Sequence, residues 1–269
     1  MSAAAGIRAH AAFARMAFLQ ILAYRMRYVT GILTYLVYVS AYVFLWRGIY
    51  GDAPELGGFQ AAEMTQFIAL GWIFRSFYFN NIDREVADEV REGKIGVQLL
   101  RPVSYPLAKL SAALGESGFR LVFFTLPIAT VVAVLFDIRP PAGPLATLAT
   151  LASLLLAFLV MAGVNFLLSL AAFPLKQIAG LIYAKHMALQ LLSGLLVPLS
   201  FFPPAAARIL ELLPFAAISQ APVLIYLGRL GGEAVLRTLM FQAAWAAVLW
   251  ALAALLWRAA VSRLTVQGG

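Results

Sequence analysis

Charged side chains, the raw material for most protein chemistry, are few in this chain and unevenly spread. From Asp83 to Arg101, nine residues in nineteen are charged (Asp83, Arg84, Glu85, Asp88, Glu89, Arg91, Glu92, Lys94 and Arg101), against 12% for the whole chain. Elsewhere, Arg75, Glu116 and Arg120 interrupt apolar stretches, and the two histidines, His10 and His186, stand far apart. A lone histidine at the edge of an apolar run reads as an interfacial residue before it reads as a base or a ligand. The chain has no HExxH, no GxSxG and no paired-aspartate phosphotransfer pattern, so the usual arrangements for metal-assisted or nucleophilic hydrolysis are missing. It has no cysteine, which excludes disulfides, thiolate metal sites and cysteine nucleophiles.

Composition sets the medium. Hydrophobic residues make up 63% of the 269 and the mean hydropathy is +0.88, whereas soluble domains run at about 45–50% apolar. The expectation is an all-α integral membrane protein filling residues 1–269 as a single transmembrane domain. That length accommodates about six spans of roughly 20 residues. The net charge of +8 fits bases flanking the apolar runs better than a nucleic-acid partner. Arg8, Arg15, Arg25 and Arg27 are spread through the first 30 residues, unlike the basic start and clean apolar core of a cleavable signal peptide.

The elements follow from apolar runs and their punctuation. Residues 7–27 interleave bases with Phe13, Met16, Phe18 and Leu19, as in an amphipathic helix lying on a membrane surface. Spans are expected at 28–47, 63–82, 112–136, 144–173, 178–199 and 233–257. The loop after the first is rich in glycine, and Pro127 lies inside the third. Residues 200–228 are apolar but broken by Pro203, Pro204, Pro214 and Pro222. They read as a seventh span or as short re-entrant helices, which need backbone partners inside the bundle. Six spans put thirteen Lys and Arg on the inner side, Lys176 and Lys185 among them, against five outside. This is the better positive-inside balance, with both termini cytoplasmic. A charge at membrane depth costs about 2.5–3.5 kcal/mol. Glu116 and Arg120, one helical turn apart, therefore either neutralise each other or contact a substrate. Arg75, without a local partner, is either a functional charge or a side chain that snorkels to the interface.

Under this topology, residues 83–108 lie in the cytoplasm between the second and third spans. Ile82, Val86 and Val90 recur at i, i+4 and i+8, giving a helix one apolar face, and Arg84 and Asp88 form an i,i+4 pair. Gly93 is a helix stop, and Arg101-Pro102 and Pro106 stiffen the return to the membrane. A few apolar anchors inside a charged rim suit a partner protein's groove. The same segment also reads as a solvated connector.

The stretches EGKIGVQLLRPVS (92–104) and VPLSFFP with LPF (197–215), together with the basic leading helix and six spans, resemble the membrane subunit of ABC-2 type transporters, in particular the viologen-exporter-like or multidrug branch. The resemblance covers essentially the whole chain. It implies a type V exporter-like fold in a bacterial cytoplasmic (inner) membrane. It also implies that Glu89, Arg91, Glu92, Gly93, Lys94, Ile95, Arg101 and Pro102 couple to an ATPase, and that Pro198, Pro203 and Pro214 belong to an outer gate of re-entrant helices. The chain has no GxxxxGK[ST] loop, so ATP and Mg are expected on two copies of a separate ABC ATPase. A second permease chain, identical or related, and membrane lipid complete the expected partners. Tyr35, Tyr38, Arg75 and Phe77 are the candidates for a translocation path. Aromatic rings there would favour flat apolar or cationic amphiphiles, so the expected activity is export of hydrophobic or amphiphilic compounds. The competing reading is an ATP-independent channel or secondary transporter, for which internal repeats are the sign to seek.

Overall fold

A computed structural model describes residues 3–23, 26–141 and 143–262. Residues 24 and 25 of the expected surface helix lie outside the described residues, as does Arg263. Helix α1 (Ala3–Ala23) is followed by α2 (Met26–Tyr50). A two-residue hairpin, β1 (Glu55–Leu56) and β2 (Phe59–Gln60), then leads into α3 (Ala61–Tyr78). The hairpin turns on Gly57 and Gly58 at φ 56° and 81°, a conformation open to glycine and strained for most other residues.

Helix α3 is the axis of the bundle. Thirteen of its residues are buried, so it is apolar on nearly every face and enclosed by neighbours, as such helices must be. It ends at Tyr78, four residues before the expected end of the second span, and Ile82 instead opens α4 (Ile82–Arg91). Gly93, at φ 72°, turns the chain into the short α5 (Ile95–Leu99). Helix α6 (Tyr105–Arg120) runs through a π-helical turn (Leu121–Thr125) directly into α7 (Leu126–Phe136). Pro127 has no N–H to give, and the wider turn absorbs the interruption without breaking the rod. The Thr125 and Ser76 hydroxyls, 2.7 Å apart, fasten this turn to α3.

Helix α8 (Pro144–Ser169) packs along α3, α4 and α13, and ends in the single turn α9 (Ala172–Leu175). Next come α10 (Ala179–Leu192), α11 (Pro204–Leu212), α12 (Gln220–Tyr226) and α13 (Gly232–Val261). Among the described residues, four stretches are long and apolar enough to cross a membrane: Thr30–Tyr50, Tyr105–Phe136, Pro144–Leu175 and Gly232–Val261. Helix α10, with 14 residues, reaches only about 21 Å at 1.5 Å per residue. Helices α11 and α12, with 9 and 7 residues, are shorter still, so residues 204–226 form no single spanning helix. The third apolar rod starts at Tyr105, seven residues earlier than expected, because Pro106 occupies its first turn, where a missing N–H costs nothing.

Helix α1 lies across α6 at close range. A Cβ on Gly115 would run into the Ala14 backbone, and Phe18 meets Phe119 edge-on with ring centres 5.5 Å apart. The exposed side of α1 mixes Ile7, Met16 and Leu19 with Arg8 and Arg15.

Candidate functional site

The sequence pattern of α4 gives it an apolar stripe, and packing decides what covers the stripe. Ile82 and Val86 are buried, Val90 is partly buried, and all three join the chain's own core, as does Ile95. This corrects the expectation that the α4 stripe is free for a partner. Glu89 is also committed internally: it accepts from the Tyr105 hydroxyl at 2.5 Å and from Lys109 at 2.8 Å, clamping α4 to the start of α6. Asp88 pairs with Arg91 at 2.8 Å, one residue short of a full turn away, in place of the expected Arg84. Arg91, Glu92, Gly93, Lys94, Arg101 and Pro102 are exposed. Lys94 bonds Glu92 at 2.5 Å; that hydrogen bond holds the Glu92 carboxyl below its usual range and raises the Lys94 ammonium. The apolar groups that this surface does present are Val97 and Leu100, 65% and 84% exposed, on and just after α5.

Two cavities lie above this surface. The first, about 1020 Å³, is bounded by α1, α3, α4 and α6 and extends from Lys94, Gln98 and Arg101 to Ser76, Arg75 and Tyr35. The second, about 480 Å³, lies between α2, α3 and Gln190 of α10. Both are lined by Gly31, Tyr35, Arg75 and Phe124, so they meet at Arg75. Tyr35 donates to the Trp72 carbonyl at 2.5 Å, and Tyr38 stands edge-on to the Trp72 ring at 4.7 Å. Phe77, expected beside them, turns into the core against Phe158 and lines neither cavity.

Arg75 finds partners that sequence reasoning missed: its guanidinium lies over the rings of Phe79, at 4.7 Å, and Trp72, at 5.3 Å. Arg120 stands over the same Phe79 at 5.7 Å, donates to the Phe79 carbonyl and pairs with Glu116 at 3.4 Å, as the i,i+4 spacing predicts. His186 stacks on Phe79 with ring centres 5.5 Å apart.

A second buried ion pair was also unanticipated. Asp83, in the first turn of α4, is fully buried and accepts from Lys185 of α10 at 2.6 Å. Lys185 also donates to Asn165 Oδ1 at 2.5 Å, and the Asn165 amide donates to the Asn80 carbonyl and side-chain oxygens, each at 2.9 Å. Lys185 is thus a mid-helix residue and not one of the loop bases of the expected topology. The missed signal was its position as a lone base in an otherwise apolar helix, where a charge requires a partner.

Set against known families, residues 36–268 match the model of the ABC-2 family transporter protein. The chain belongs to the ABC-2 family. No curated protein and no solved structure matches it. Its apolar helices and its family make it a multi-pass membrane protein and a transporter component, of a kind that generally has no catalytic site of its own and typically works with an ABC ATPase.

At the opposite end of this ABC-2 chain, the broken segment is held to the hairpin. Pro198 and Pro203 are extended and start short helical turns, while Pro198 and Pro214 are buried. Ser200 donates to the Gly57 carbonyl at 2.8 Å. Arg229 reaches the Gly58 carbonyl at 2.6 Å and Glu63 at 2.7 Å, with its guanidinium 4.1 Å from the Phe59 ring centre. Trp46 donates to the Leu196 carbonyl at 3.1 Å.

Proposed function

We propose that the chain is the permease subunit of an ATP-driven exporter in a bacterial inner membrane, of the viologen-exporter-like or multidrug branch. In this reading α3 is the second of six spans, and α10 with the turns that continue it to Phe201 fills the fifth. The α4–α5 end and both termini are cytoplasmic, and the hairpin with α11 and α12 closes the outer side. Two ABC ATPase chains carrying ATP and Mg dock below two permease chains, identical or related.

The observation that carries the proposal is the division of labour at α4–α5. The α4 stripe is spent on the chain's own core, so α4 moves with the bundle, while α5 holds Val97 and Leu100 out in a rim of exposed charge. Two anchors in a charged rim are what a groove on a partner grips. The Glu89–Tyr105–Lys109 clamp would pass a push on α5 to the rod that begins at Tyr105. ATP-driven approach of the ATPases would then rock the bundles between inward and outward states. Tyr35, Tyr38 and Arg75 line the path, which carries hydrophobic or amphiphilic compounds outward. Expression with its ABC ATPase tests the reading: a complex that co-purifies and hydrolyses ATP supports it, whereas a chain that transports alone without ATP contradicts it.

A further inference from the structure

We infer that the junction of the two cavities binds the anionic group of an amphiphile, a phosphate, sulfonate or carboxylate on an apolar tail, with Arg75 as its cation. The inference rests on the permease reading for its amphiphilic substrate and narrows that substrate's charge.

Around the junction, two buried donors lack an acceptor among the described residues and a third group, Arg75, lacks a counter-ion. Arg75 has no carboxylate within ion-pair distance among the described residues; it is held by the Tyr35 hydroxyl and by the two ring faces of Trp72 and Phe79, ring contacts worth about 0.5–2 kcal/mol each. Arg120, 7% exposed, lines the first cavity, and its Nε has no hydrogen-bond partner among the described residues. Trp72 lines the second cavity, and its buried indole N–H is likewise without a partner. Glu116 pairs with Arg120, and the carboxylates Glu85, Asp88, Glu89 and Glu92 line the α4 end of the first cavity with Lys94, Arg101 and Lys109, so at the junction itself Arg75 is the cation without a carboxylate partner among the described residues.

A cationic ligand would be repelled by that cation and leave the N–H groups unsatisfied. An anion supplies the missing acceptors, and a guanidinium fork matches phosphate and carboxylate oxygens well. The tail has a place in the second cavity, which leads past Thr34 to Tyr38, 41% exposed on α2. Arg75 lies three residues from the end of α3, about 5 Å along the axis. With α4 cytoplasmic, that is the depth at which inner-leaflet headgroups are met, and basic pockets between helices on that side bind anionic headgroups.

The test is equilibrium binding of dodecyl phosphate and of dodecyltrimethylammonium to the full chain in phosphatidylcholine nanodiscs, with empty discs subtracted. Dodecyl phosphate is expected to bind at least tenfold more tightly, Arg75→Gln to erase the difference and Arg75→Lys to retain most of it. Equal or tighter binding of the cation to the wild-type chain overturns the inference, whether or not any variant folds. So does an undiminished preference in an Arg75→Gln chain that elutes and unfolds like the wild type. Competition by added phosphatidylglycerol would identify a resident lipid headgroup as the source, and lack of competition an exogenous amphiphile; both uphold the site. No ATPase or ATP enters this measurement. Failure here leaves the permease reading standing, and failure of ATPase association leaves the anion site standing.

Discussion

Lys185 of α10 and Asp83 of α4 are 102 residues apart in sequence and 2.6 Å apart in space. Their side chains are 9% and 1% exposed, so each depends on the other for the solvation it has lost, Lys185 also on Asn165 and Asp83 also on the Arg84 backbone N–H. Helix α10 leaves much of its surface exposed, which makes this ion pair a principal tie between α10 and the α4–α5 end. Either single change, Asp83→Ala or Lys185→Met, leaves an uncompensated buried charge and is expected to cost about 3–5 kcal/mol. The double variant should recover a large part of that loss. A double-mutant cycle on thermal unfolding of the purified protein checks this, and two small, additive losses would show that the pair contributes little.

A second expectation concerns α1. Gly115 has no space for a Cβ against Ala14, so Gly115→Leu should push α1 off α6, an overpacking cost of about 1–3 kcal/mol. Limited proteolysis or hydrogen exchange should show α1 becoming accessible while α8 and α13 stay protected. Unchanged protection of α1 would mean that the crossing tolerates the extra volume.

The orientation can be read with single cysteines, since the chain has none of its own. Gly57 is a poor probe position despite lying in the hairpin turn, because it sits at φ 56° and a side chain there would strike the Phe201 ring. Asp52→Cys, on the exposed run before the hairpin, should react with an impermeant thiol reagent added outside intact cells, and Ser104→Cys should not. The reverse pattern would invert the whole assignment of inside and outside.

Apolar length and proline placement made much of this fold legible. The four long apolar rods, the glycine turn after the first and the broken segment at 200–228 follow from them directly. So does the Glu116–Arg120 pair, because i,i+4 spacing is local. What the sequence left open depended on contacts between distant segments. The Ile82–Val86–Val90 stripe announces that something covers α4, yet only packing shows that the chain itself does. Asp83 reads as one solvated charge among nine, although it borders that stripe, and its partner lies 102 residues away. Arg75 seemed isolated because ring faces, unlike carboxylates, carry no charge by which to recognise a partner.

In the proposed coupling α5 delivers the work of an ATPase to this bundle, and Val97 and Leu100 are the groups to change. Both are exposed, so Val97→Asp with Leu100→Asp should alter stability by no more than about 0.5 kcal/mol. The decisive measurement is ATP-dependent movement of an amphiphile across proteoliposomes containing the permease and its ABC ATPase. The expected result is transport toward the outer face by the wild-type complex, and loss of both ATPase association and transport in a double variant that remains folded. Undiminished ATP-driven transport by that folded variant would show that α5 is not the coupling element.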